Sequence, residues 1–279
     1  MNVEVVFLPP IATELPSKLC IVIDVLRATS TLVSMFESGV RRITLAGSIQ
    51  GALALARTGP GRPFVCGESG GLPPAGFDYG NSPREFLPEA MEGKELVFFT
   101  SNGTKAMRHL AAAPAVLTGC LLNASAAVRA ALREARERNL DIAVVCSGDH
   151  LGTRFAIDDA FTAGYLCSLM ERQARGLPHA DRASMAGEGG GEDAVCTDES
   201  AVAAMRLYRS YLGDAGAPYD EAAPPRDAIL RAFWESHNAQ VLKKVGLSDD
   251  VQYCAQVDIS SVAPRLRVEG DALVLYPGR

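Results

Sequence analysis

The stretch CIVIDVLRATSTLVSMFESG, residues 20–39, carries three structural signals in one run. CIVID reads as an apolar strand ending on an acid, the next residues form a polar turn, and a helix is expected to begin near Ala28 to Ser30 and stop at Gly39. The same design returns twice: LVFFT (96–100) leads into SNGTKAMRHLAAA, and IAVVC (142–146) into SGDHLGTRFAIDDAFTAGYLCSLM. Strands alternating with helices predict an α/β fold. Uninterrupted apolar strands predict burial on both faces of a largely parallel or mixed sheet, layered α/β/α. Ligands of such sheets gather outside the carboxyl ends of the strands, so the polar residues of the three loops are expected to converge.

Outward from these units, further strands are expected at 42–46, 64–66 and 115–117, and helices at 48–57 and 125–139. Residues 183–199 are Gly-rich and acidic without periodicity, which predicts a flexible loop. It would separate an α/β catalytic region, 1–182, from a C-terminal portion, 200–279, that either completes the sheet or forms a small subdomain. Within that portion the pattern predicts helices at 200–212 and 226–245, the second closed by Gly246, and strands near 251–257 and 272–276.

Composition narrows the function. Against 27 Lys and Arg stand 33 Asp and Glu, a net charge of −6, which disfavours a nucleic-acid partner. No apolar run is long enough to span a bilayer, and MNVEVVFLPP lacks a basic segment followed by an apolar one, so a cytoplasmic location is expected. Seven scattered cysteines, an odd number with no CxxC pair, suggest free thiols. A homodimer is the default expectation for a chain of this size.

The loop residues suggest the chemistry. Asp24, at a strand end, suits either a magnesium ligand or a nucleophile. Arg27 and the hydroxyls of Thr29, Ser30 and Thr31, beside a helix start, can hold an oxyanion. A helix cap at Thr29 or Ser30 with an Asp24–Arg27 pair accounts for the same residues. TSNGTKA (100–106) offers Thr100, Ser101, Asn102 and Thr104 around Gly103, without the spacing of a nucleotide-binding P-loop. CSGDHLGTRFAIDDAF (146–161) offers Cys146 as a nucleophile or an inert buried thiol, His150, Arg154, and two adjacent acids. Asp158 and Asp159 point about 100° apart on a helix, so one is expected to enter the cleft and the other to be solvated.

GESGGLPPAGFDYGNSP (67–83) adds Glu68, Asp78, Asn81 and Ser82. Its turn-forming residues are consistent with a plain surface loop or with a binding loop. Carboxylates beside anion-binding loops repel an anionic ligand unless a cation lies between them, and magnesium meets that requirement.

Four segments in order, IDVLRATST, GESGGLPPAGFDYGNSPREF, FFTSNGTKA and CSGDHLGTRFAIDDAFTAG, closely resemble the 2-phosphosulfolactate phosphatase family. The resemblance is strong over 19–167 and weaker through SHNAQVLKKVGLSDDVQYCAQVD. It implies a family-specific α/β fold and a magnesium-dependent phosphatase that removes phosphate from 2-phospho-3-sulfolactate, a step toward coenzyme M. It also implies a site lined by Asp24, Arg27, Thr29, Thr31, Glu68, Gly76, Asp78, Gly80, Asn81, Ser82, Asn102, Gly103, Thr104, Cys146, Gly148, Asp159 and Gly164. In the expected division of roles Asp24, Arg27 and Cys146 are catalytic. Thr29, Thr31, Asn81, Ser82, Asn102, Gly103 and Thr104 bind the substrate, and Asp24, Glu68, Asp78 and Asp159 hold the metal.

Two positions depart from the family pattern: Ser69 stands where Arg often follows the Gly-Glu pair, and Asp158 where Glu is usual. A related phosphorylated 2-hydroxy acid is therefore also an expected substrate. Attack by a metal-activated water and attack by Asp24 both remain open. A haloacid-dehalogenase-type phosphatase is a weaker alternative, since Leu26 occupies the place of its second aspartate. From a different class, a noncatalytic sensor of organophosphates or sulfonates fits the same loops.

Overall fold

Residues 20–39 fold as their pattern predicts, into the strand β2 (Lys18–Ile23) and the helix α1 (Ala28–Glu37). The computed structural model describes residues 1–9, 17–58, 61–150, 152–174, 195–213 and 223–278. The other strands are β1 (Asn2–Val6), β3 (Arg42–Leu45), β4 (Phe64–Gly67), β5 (Glu95–Phe99), β6 (Ala115–Gly119), β7 (Asp141–Cys146), β8 (Cys196–Thr197), β9 (Arg265–Glu269) and β10 (Ala272–Tyr276). The other helices are α2 (Ile49–Thr58), α3 (Pro88–Met91), α4 (Gly103–His109), α5 (Ala124–Arg138), α6 (Ile157–Ala174), α7 (Glu199–Leu212), α8 (Arg226–Trp234), α9 (His237–Lys244) and α10 (Ser248–Cys254).

Among the described residues all strands join one mixed sheet of ten, in the order β4-β5-β3-β10-β9-β6-β2-β7-β1-β8. Strand β2 is apolar from Leu19 to Ile23 because both of its faces are covered. Leu19, Ile21 and Ile23 pack with Val128 and Leu132 of α5 and Phe161 of α6. The alternate residues Cys20 and Val22 pack with Leu32 and Phe36 of α1 and Met107 of α4. This period of two places one helical layer on each side.

The sheet has two parallel groups, β4-β5-β3 and β6-β2-β7-β1-β8, separated by the antiparallel hairpin β9-β10. Three antiparallel steps reverse the polarity of one group relative to the other. The turns after β5 and β2 meet nonetheless: a Cβ on Gly103 would lie 2.6 Å from the Ala28 Cβ. A right-handed twist of roughly 20–25° per neighbouring strand, accumulated between β5 and β2, turns their carboxyl ends toward one another.

Three sequence expectations require correction. The segment expected as a strand at 251–257 instead contributes to α10, whose Val251 and Cys254 are buried at helical spacing and whose first turn carries Asp249 and Asp250. The single helix expected at 226–245 is two helices, because the Ser236 hydroxyl accepts the Ala239 N–H and begins α9 afresh. The expected loop 183–199 gives way before its end: Cys196–Thr197 pairs with β1, and Asp198 caps α7 by accepting the Ala201 N–H. Residues 183–194 lie outside the described residues. The pattern reading also passed over β9, a short and largely exposed strand.

Candidate active site

Asp24 leaves the end of β2 and is bound at once by the turn that follows. Its Oδ1 accepts the Ala28 N–H at 3.2 Å, and its carbonyl accepts both the Thr29 N–H and the Thr29 hydroxyl at 2.9 Å. The N-terminal turn of α1 is therefore folded around this carboxylate. Gly103 closes the other side, for a Cβ there would lie 2.7 Å from Asp24 Oδ2.

From the first turn of α6 come two more acids, Asp158 and Asp159, both buried. Asp159 Oδ1 accepts the Val25 N–H at 2.9 Å, while Oδ2 accepts the Ser147 hydroxyl at 3.1 Å and the Gly148 N–H at 3.2 Å. Asp158 Oδ2 accepts the Asn238 amide at 3.2 Å, but its buried Oδ1 has no hydrogen-bond partner. The expectation that one of this pair is solvated does not hold: both are enclosed, and Asn238 at the start of α9 reaches Asp158.

Burial pushes the Asp24 carboxyl up to about 7, and Glu68 and Asp158 add to the rise against the hydrogen bond from Ala28. Asp158 is pushed to about 6, first by burial, with Asp149 adding to it. Asp159 is raised as well, by burial and then by Asp158 and Asp24. These acids are bound into one electrostatic unit, and as neighbouring buried negative charges they stabilise either protons or a cation. Glu68 approaches from the turn after β4, with Oε1 accepting the Ser101 N–H at 2.7 Å and Oε2 the Gly71 N–H at 2.9 Å.

Arg27 is buried in a different arrangement. Its Nη1 meets Asp250 Oδ2 at 2.6 Å, its Nη2 donates to the Gly71 carbonyl at 2.8 Å, and the Ser82 hydroxyl donates to Asp250 Oδ1 at 2.7 Å. Asp250 carried no singled-out signal in the sequence. The acid that neutralises Arg27 stands 223 residues away along the chain.

Thr31 donates to the Asn81 carbonyl at 2.9 Å and so ties α1 to the 67–83 loop, while the Thr104 hydroxyl donates to the Thr100 carbonyl at 2.7 Å and closes its own turn. The Asn81 Oδ1 is buried without a hydrogen-bond partner, and Asn102 begins α4 beside Gly103. Asp78 is exposed and its Oδ2 accepts the Val65 N–H at 2.8 Å, an interaction with β4 rather than with the acidic cluster. Cys146 is buried among apolar neighbours, and burial first, then Asp159, raises its thiol well above the ordinary range. Gly164 belongs to packing: a Cβ there would lie 2.1 Å from the Ala204 carbonyl oxygen, where α6 crosses α7.

The donor chemistry of Asp24, Asp158, Asp159 and Glu68 is all hard oxygen, which suits magnesium. These acids are more widely set than a compact three-ligand cage. Among the described residues the one group of three with ligand atoms within 4.8 Å of one another is Asp149, His150 and His237. Magnesium does not need such a cage, because it keeps several waters and commonly takes one or two carboxylates. The orphaned Asp158 Oδ1, buried among like charges, fits that requirement.

The model of the family described as 2-phosphosulpholactate phosphatase matches residues 9–269. Among curated proteins, one from Thermus thermophilus is 36% identical over 91% of this chain and 90% of its own length. Another, from Deinococcus radiodurans, is 35% identical over 90% of this chain and 88% of its own. A third, from Carboxydothermus hydrogenoformans, is 28% identical over the full 100% of this chain and 99% of its own. Each bears the name "Probable 2-phosphosulfolactate phosphatase".

Proposed function

The chain belongs to the 2-phosphosulfolactate phosphatase family, and from that membership and the buried acidic cluster we propose a magnesium-dependent phosphatase. Its proposed substrate is 2-phospho-3-sulfolactate or a related phosphorylated 2-hydroxy acid, cleaved to the hydroxy acid and phosphate. The observation that carries the metal requirement is the burial of Asp24, Asp158 and Asp159 together, with Asp158 Oδ1 unpartnered.

A bound magnesium ion would supply neutralising charge for the phosphoryl oxygens as the phosphate ester breaks. Asp24, Asp158, Asp159 and Glu68 are the residues proposed to hold it. Backbone and hydroxyl donors keep Asp159 and Glu68 in place, and Asn238 keeps Asp158 in place. The Thr100–Thr104 turn with Asn102 is the proposed seat of the phosphate, held against Asp24 by the close approach of Gly103. Asn81, with its buried Oδ1, offers an acceptor to a hydroxyl of the substrate. Arg27, already paired with Asp250, acts in this reading as a positioning residue that fixes the Gly71 turn and so the Glu68 carboxylate.

The test is phosphate release from racemic 2-phospho-3-sulfolactate, with phospholactate and phosphoglycolate alongside, each with magnesium and with excess chelator. Magnesium-dependent release that prefers the sulfonate supports both reaction and substrate. Release only from another ester retains the reaction and replaces the substrate. Binding without release would instead identify a sensor. An Asp24→Asn enzyme with full turnover would remove Asp24 from both the metal-binding and the nucleophilic role.

A further inference from the structure

A second cluster of chemically active groups lies beside the acids, and it differs from them in kind. Asp149 sits in the turn after β7, where the Asp149 and Arg154 backbones pair, and it is only 8% exposed. His150 follows it with φ of 47°, a left-handed conformation that histidine adopts more readily than most residues, and the Thr153 hydroxyl donates to its carbonyl at 2.7 Å. His237 comes from the first residue of α9. Their rings stack with centroids 5.7 Å apart and planes 29° from parallel.

The ligand atoms converge. Asp149 Oδ2 lies 2.9 Å from His237 Nδ1 and 3.7 Å from His150 Nε2. Donors bound at zinc distances of about 2.0–2.2 Å in a tetrahedral site stand roughly 3.3 Å apart, a value that these separations straddle. Asp149 Oδ2 is buried and makes no hydrogen bond of proper geometry, although His237 Nδ1 is within reach. An oxygen and a ring nitrogen at this separation can both donate to a common third atom. The other carboxylate oxygen is fixed separately, since Oδ1 accepts the His150 N–H at 2.6 Å. Arg154 Nη1, at 3.9 Å from Oδ2, is the competing cation, and its side chain is about half exposed and displaceable.

We propose that Asp149, His150 and His237 form a binding site for a zinc-class divalent cation, distinct from the oxygen-lined acidic cluster. Two imidazoles and one carboxylate suit zinc or cobalt better than magnesium, and three protein ligands leave a coordination position open. The site joins the turn after β7 to the start of α9. Its neighbours in sequence, Gly148 and Asn238, hold Asp159 and Asp158. Occupancy therefore clamps together the two segments that flank the acids.

The experiment is a titration of the whole protein with zinc by calorimetry, and with cobalt by visible absorption, both in excess magnesium so that oxygen-only sites are filled. One equivalent of zinc, with a cobalt band displaced by zinc, is expected. His150→Ala and His237→Ala should each weaken zinc binding by at least about tenfold and abolish the cobalt band. His109→Ala, at an exposed residue of α4, should leave both unchanged. Metal-free melting curves report whether each variant folds. The proposal is overturned if the wild-type protein takes up no zinc over the magnesium background, or if one equivalent still binds with unchanged affinity to the His150→Ala/His237→Ala double variant. Neither result depends on phosphatase turnover.

Discussion

Gly103 and Asp24 touch across the gap between two strand ends, so closely that a Cβ on Gly103 would stand 2.7 Å from Asp24 Oδ2 and 2.6 Å from the Ala28 Cβ. No side chain fits there without displacing the carboxylate or the first turn of α1. Gly103→Ala is expected to cost about 1–3 kcal/mol of stability through overpacking. Phosphate release should fall more steeply than stability, because the displaced group is Asp24 itself. Urea denaturation and a phosphate-release assay on the same preparation check both effects.

The acidic cluster predicts an unusual pH dependence for the metal-free protein. Burial pushes Asp24 up to about 7 and Asp158 up to about 6 in the fold, above the usual aspartate value of 3.8. Folded protein therefore binds more protons than unfolded chain between about pH 4 and 7, and stability falls as pH rises through that window. With chelator, the melting temperature should be higher at pH 5 than at pH 8. Magnesium should recover most of the loss at pH 8 and do little at pH 5. A melting temperature independent of magnesium at both pH values would count against metal binding at these acids.

Breaking the Arg27–Asp250 pair should be among the most damaging single changes. Both side chains are buried, so Asp250→Asn leaves a guanidinium without its counter-charge, at a cost of about 3–5 kcal/mol. Replacing both residues with apolar ones of similar volume should cost less than the sum of the single changes. Chemical denaturation of the four proteins in a double-mutant cycle measures the coupling.

Cys146 is expected to be dispensable for turnover. Its thiol is raised by burial, and a protonated, enclosed thiol is a poor nucleophile. Cys146→Ala should retain phosphate release while losing about 1 kcal/mol of stability. Iodoacetamide on the folded protein should label Cys196, the exposed one of the seven cysteines, well before Cys146. Loss of turnover in a folded Cys146→Ala protein would restore a catalytic role to this residue.

Much of the architecture was legible because it is local. Strand, turn and helix in 20–39 follow from an apolar run, a polar break and a glycine stop, and the same logic located β5, α4, β7 and α6. It failed at α10, where Val251 and Cys254 read as strand residues until their shared buried face was known. It also failed at Ser236, where a single hydroxyl cap divides what looked like one helix.

The sequence by itself determined the α/β class, the acid at the end of β2, and the loops whose ordered motifs mark the family, since each depends on neighbours along the chain. Tertiary structure alone decided which groups meet. It set Asp250 against Arg27 and brought His237 to Asp149. It buried Asp158 and set Asn238 against it, and it directed Asp78 to the Val65 amide. The physical reason is that a buried charge is balanced by whatever group folding carries to it, and the twist and order of the sheet, not distance along the chain, select that group.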